Sequence, residues 1–132
     1  MIQSYKDLKV YQLAFASAMD IFRMTKTFPK EELYSLTDQV RRSSRSVAAN
    51  LVEGWAKRHY ENVFRRHILD AIGSSDETKL WLDFARECGY LDAEQHRRLM
   101  DQYEDVGRML FGLYERWRTF PKKDEWREPD EA

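Results

Sequence analysis

Leu99, Tyr103, Val106, Leu110, Leu113 and Trp117 recur at intervals of 4, 3, 4, 3 and 4 residues. That rhythm places all six on one face of an α-helix. A lone helix cannot shield such a stripe from water, so the rest of the chain must supply partners for it. It does so three times. Leu8, Tyr11, Phe15, Ala18 and Phe22 keep a 3, 4, 3, 4 spacing and predict a first helix from Asp7 to about Lys26. Leu33, Leu36, Val40, Ser44, Val47 and Leu51 form the main stripe of a second, from about Lys30 to Lys57. Phe64, Ile68, Ala71, Ser75, Thr78 and Leu82 do the same for a third, from about Glu61 to Glu87. This third helix carries a further stripe, Val63, Trp81, Phe84 and Cys88, roughly 100° or more around its axis. A helix apolar on two sides must be covered on two sides.

The breaks between the runs have local causes. The residue before a proline is pushed out of the helical region, so Phe28-Pro29 ends the first helix, and Pro29 is tolerated in the first turn of the next. Arg58-His59-Tyr60 separates the second and third helices, which makes Gly54, four residues earlier, a close-packing site rather than a cap. Gly89 suits a left-handed cap, and Asp92 with Gln95 three residues on makes a capping-box-like start for the fourth helix, which runs to about Arg118. The expected fold is therefore all-α: an antiparallel up-down four-helix bundle over residues 1–118, with rods roughly 30–40 Å long. Its core should hold Leu8, Phe15, Val40, Val47, Leu51, Ile68, Leu82, Leu99, Val106 and Leu110. Residues 119–132, TFPKKDEWREPDEA, are charged, carry two prolines and lack periodicity; they read as a loose tail in which Trp126 is able to dock.

Composition narrows the functional classes. No apolar run approaches the ~20 residues needed to span a bilayer, and nothing reads as a signal peptide, so no membrane association is expected. The single cysteine, Cys88, excludes an internal disulfide and a multi-cysteine metal site, and fits a reducing, cytoplasmic setting. On an apolar stripe it is expected as buried filler. His59, His67 and His96 lack the spacing of a bundle metal site, and there is no glycine-rich phosphate loop, so neither metal nor cofactor is expected. Aromatics at 14% are rich for one small core and point towards contact surfaces.

The second helix contains an unusual feature. Gln39, Arg42, Ser46, Asn50 and Glu53, continued by Lys57, form a polar row roughly 100–160° from its main stripe. Ala48, Val52 and Ala56, small or apolar, occupy the remaining side. The row is thus expected to lie between two buried surfaces, one inside the chain and one between copies of it. If the second and third helices fold back on each other, residues whose numbers sum to about 119 lie level. Arg42 then reaches Glu77, and the row on the third helix is Asp70, Ser74 and Glu77. Gln39, Arg42, Ser46, Asn50, Glu53, Ser74 and Glu77 are read as a hydrogen-bonding network that fixes register and subunit contact. Catalysis in the row is disfavoured, because it contains no His, Cys or serine–base pair.

Charge is unevenly spread. The net charge is -1, yet residues 41–67 hold seven Lys/Arg against two acids, while residues 68–118 hold seven against eleven. Arg41, Arg45, Lys57, Arg58, Arg65 and Arg66 are candidate nucleic-acid contacts, the last four crowding one bundle end with His59 and Tyr60. The bland alternative is a solvated, charged turn.

Phe28-Pro29 followed by Glu32, Tyr34 and Leu36, the run Gln39 to Ser43, Ser46, Asn50-Leu51-Val52-Glu53-Gly54, Gly73-Ser74 with Glu77, and Gly89-Tyr90-Leu91 carry a resemblance. From Leu8 to about Leu113 the chain resembles the bacterial four-helix-bundle proteins first noted in large-subunit ribosomal RNA intervening sequences. The resemblance implies a ring-like homopentamer with no established enzymatic activity. A related branch, the accessory proteins of diversity-generating retroelements, is strongly basic and engages nucleic acid and a reverse transcriptase; this sequence departs from it with a pI near 6.3. The intervening-sequence name describes where some members are encoded, not what they touch. The expected function is a non-enzymatic, homo-oligomeric assembly or binding module. The competing reading is an RNA- or DNA-binding accessory protein that uses the basic rim, alone or with a nucleic-acid-processing protein.

Overall fold

The computed structural model describes residues 2–117, and among them it is all-α, with four helices and no strand. They are α1 (Lys9–Thr25), α2 (Leu36–Ala56), α3 (Glu61–Glu87) and α4 (Ala93–Arg116), with single 3-10 turns at Tyr5–Asp7 and Lys30–Glu32. The tail 119–132, including Trp126, lies outside the described residues.

The caps read from sequence form. The Asp92 carboxylate accepts from Gln95 N at 2.7 Å, and Gln95 Oε1 accepts from Asp92 N at 3.0 Å, closing a capping box. Gly89 takes φ +81°, the left-handed conformation that ends α3 cheaply only for glycine. The second helix starts later than Lys30. Pro29 opens a 3-10 turn instead, and α2 begins at Leu36, where the Glu32 carboxylate accepts from Ser35 Oγ at 2.5 Å and from Leu36 N at 3.4 Å. Leu33 is left exposed by this break.

Nine of the ten expected core residues are buried; Phe15 is not. α1 buries Val10, Ala14, Ser17, Ile21 and Thr25, a stripe one residue round from the aromatic one, so Phe15 stays 52% exposed. Both stripes have helical spacing. The small Ala14 and Ser17 let α1 approach the core closely, whereas Tyr11, Phe15 and Phe22 would hold it away. Cys88 is likewise exposed rather than buried, because the second stripe of α3 is only partly covered. One core cluster runs through all four helices. At one end Trp117 packs on Phe64, with ring centres 4.2 Å apart, and on Trp55 at 6.1 Å.

Each helix touches two others: α1 meets α2 and α4, and α3 meets α2 and α4, so α1 and α3 occupy opposite corners. Ser43 faces Thr78, Ser46 faces Ser74 and Asn50 faces His67; as numbers rise on α2 they fall on α3. Lys79–Glu104 and Asp83–His96 repeat that order between α3 and α4.

Candidate functional site

The α2–α3 seam is lined by hydroxyls. Thr78 Oγ1 lies 2.8 Å from Ser43 Oγ and 2.8 Å from the Ser74 carbonyl. Ser74 Oγ donates to Ser46 Oγ at 3.0 Å. Asn50 Nδ2 donates to the Ser46 carbonyl at 3.0 Å and to its Oγ at 3.3 Å. With its amide nitrogen so committed, Asn50 presents Oδ1 to His67 Nδ1 at 3.2 Å, which places the proton on Nδ1. Gly54 explains how the helices come this close. A Cβ there would stand 2.9 Å from His67 Cβ, so α2 meets α3 at a point that admits only hydrogen. The sequence placed Gly54 correctly as a close-packing site.

Of the predicted network, Ser46, Asn50 and Ser74 come together in this seam and are half-buried. Gln39, Arg42, Glu53 and Glu77 do not join them and are exposed on the single chain. The Arg42–Glu77 pair is not made within the chain. Arg42 reaches back to Asp38 at 3.8 Å with its side chain 76% exposed, and Glu77 accepts from Trp81 Nε1 at 2.9 Å. The cause is rotation: Asn50 lies on the seam edge of the row, Arg42 about 80° further out. Ser43, Thr78 and His67 are the members that sequence reasoning missed. The available signal was Thr78 interrupting the apolar stripe of α3, with Ser43 at the matching height on α2.

The basic candidates divide into two groups about 24 Å apart along α2, from Arg41 to Lys57. In the first, Arg41 Nε donates to Thr25 Oγ1 at 2.8 Å, and the guanidiniums of Arg41 and Arg45 and the Lys26 ammonium lie 4.9, 5.9 and 4.8 Å from the Phe22 ring centre. In the second, Arg58 lies over Trp55 at 4.6 Å and Arg65 over Tyr114 at 4.1 Å, while Lys57 and Arg66 are exposed.

Two apolar surfaces stand out among the described residues. Between α1 and α2 lies a groove of about 360 Å³ lined by Tyr11, Phe15, Ala18, Met19, Arg45, Ala48, Ala49 and Val52. A second hollow, with Lys6 at its edge, continues it past Phe15. On the far side, Leu69, Gly73, Leu80 and Phe84 are exposed along the outer face of α3.

One polar clasp closes the molecule opposite the basic turn. Tyr90 Oη donates to Glu32 Oε2 at 2.9 Å. Hydrogen bonds from Ser35 and Tyr90 hold the Glu32 carboxyl below the usual carboxylate range, and the same carboxylate pushes the Tyr90 phenol up to about 12. Among the described residues, no group of three or more His, Cys, Asp or Glu is placed to hold a metal ion. No described helix is long and apolar enough to cross a membrane.

The family model for the 23S rRNA-intervening sequence protein matches residues 6–112, which takes in α1 to α3 and most of α4. The chain belongs to this family. The 23S rRNA-intervening sequence match spans the α2–α3 seam and both apolar surfaces. A crystal structure of a protein of unknown function from the S23 ribosomal protein family of Bacteroides thetaiotaomicron has a similar fold, at TM-score 0.73 and 20% identity. The match covers 80% of this chain and 95% of that one. No curated protein matches the sequence.

Proposed function

We propose that this protein is a non-enzymatic assembly module: an antiparallel up-down four-helix bundle that works as a cytoplasmic homo-oligomer, a pentamer by family resemblance. One observation carries the reading. Among the described residues a single chain leaves two apolar surfaces open on different sides, the α1–α2 groove with Phe15 and the α3 face with Leu69, Leu80 and Phe84. Exposed apolar side chains clustered on one face mark contact surfaces, and each cluster is placed to bury against protein. Gln39, Arg42, Glu53 and Glu77 lie on these outer flanks, where a neighbouring copy covers them.

The non-enzymatic reading is supported by the seam's chemistry. Its hydroxyls bond to each other and to helix carbonyls, and Asn50 stands between the serines and His67, so no base takes a proton from a nucleophile. The second reading, nucleic-acid binding, is favoured by exposed Lys57 and Arg66 beside Arg58 and Arg65, whose planes are held by aromatic rings. In a ring the rim would repeat with every copy.

Sedimentation velocity tests the main reading, with the expected species a multiple, five by resemblance, of the 15.9 kDa chain. A single-chain species at micromolar concentration refutes it. Arg42→Ala is expected to weaken assembly while leaving helical content intact. An RNA titration at low and high salt tests the rim. Binding that falls with salt supports it, and no binding at low salt removes it.

A further inference from the structure

We propose that the outer face of α3 in one copy seats in the α1–α2 groove of the next, a head-to-tail contact between unlike surfaces. The inference rests on the self-assembly reading and specifies how the copies meet. Shape favours it. The groove floor is built from Ala48, Ala49 and Val52, small side chains that leave room for larger ones, and the α3 face offers Leu69, Leu80 and Phe84 as the larger ones. Gly73 lies among them and has open space where a Cβ would stand. A ridge of large residues over a floor of small ones is how helices interlock.

Charge favours the same pairing. Arg45 lines the groove and Lys6 edges the hollow that continues it. Among the described residues, Arg45 makes no ion pair; its guanidinium rests near the Phe22 ring. Exposed Asp70, Glu77 and Glu87 flank the α3 face beside a single exposed Arg66, while Asp76 and Asp83 are paired with Lys79 and His96. Its Lys79 is turned away to Glu104 and Asp76, at 3.0 and 3.3 Å. The acidic excess beside the α3 face complements Arg45 and Lys6 at the groove. Because α1 and α3 stand at opposite corners, a copy seated in the groove still presents its own groove outward. Repetition then builds a ring if the rotation closes.

The test uses two full-length variants and their mixture. Ala49→Glu puts a carboxylate on the exposed groove floor, and Leu80→Lys puts an ammonium on the exposed α3 ridge. Each alone is expected to dissociate, with affinity down by about 30-fold or more, as at the centre of an interface. Mixed in equal amounts they should form a one-to-one pair, since the intact ridge of the first meets the intact groove of the second, and stop there because the remaining groove and ridge are both altered. Circular dichroism checks folding; if either variant loses helix, Arg45→Glu and Asp70→Lys, both at exposed positions, replace them. The pairing is overturned if either variant assembles like wild type, or if both dissociate and the mixture forms no one-to-one pair. A wild-type protein that is itself a single chain refutes the self-assembly reading instead.

Discussion

The seam between α2 and α3 lends itself to a double-mutant cycle on Ser43 and Thr78. Thr78 is fully buried and Ser43 is 4% exposed, with 2.8 Å between their oxygens. Thr78→Val preserves shape, so no cavity forms. The Ser74 carbonyl keeps its helical bond, and Ser43 Oγ retains the Val40 carbonyl at 3.3 Å, so no donor is stranded. The cost should then be the net worth of one buried hydrogen bond, about 1 kcal/mol. Ser43→Ala leaves the Thr78 hydroxyl donating to the Ser74 carbonyl and costs a similar ~1 kcal/mol. The double variant removes both ends of one bond, so its loss should fall short of the sum by about 0.5–1.5 kcal/mol. Urea unfolding followed by circular dichroism, at one fixed protein concentration because assembly shifts apparent stability, measures all four corners. Additivity within ~0.3 kcal/mol would falsify the shared hydrogen bond and the helix register derived from it.

Two further outcomes follow from the geometry. Gly54→Ala gains about 1 kcal/mol in helix propensity but drives a Cβ to 2.9 Å from His67 Cβ, an overpacking cost of about 1–3 kcal/mol. Chemical denaturation should therefore show a net loss of up to ~2 kcal/mol, and a more stable variant would contradict the close approach. Tyr90, whose phenol is raised from 10.0 to about 12, favours the folded state below pH 10 and loses that contribution as pH rises through about 12. Glu32, held low, contributes above its ordinary 4.5 and loses its share as acid protonates it. Spectrophotometric titration should find two late tyrosines, Tyr90 and the buried Tyr103, of which only Tyr90 moves back towards 10 in Glu32→Gln; an unmoved curve means the clasp is not made.

Local information settled much of this molecule. Asp92 with Gln95 makes its cap from its own backbone, Gly89 adopts the one conformation that favours glycine, and α3 runs from Glu61 to Glu87 as its periodicity predicts. Gly54 announced a close contact by standing inside a helix where alanine would serve better. The elements, their order and most of the core were therefore legible, because spacing and caps act within a few residues of themselves.

What the sequence could not determine was how far each rod is turned about its axis. α1 carries two apolar stripes of equal spacing, and the choice of Val10, Ala14, Ser17 and Ile21 for the interior left Phe15 outside. The same freedom put Ser43 and Thr78 into the seam and swung Arg42 away from Glu77. Periodicity names the faces of a helix. Only the volumes and hydrogen bonds of the neighbouring helices decide which face turns inward, because that rotation minimises the energy of the whole packed set rather than of any one segment.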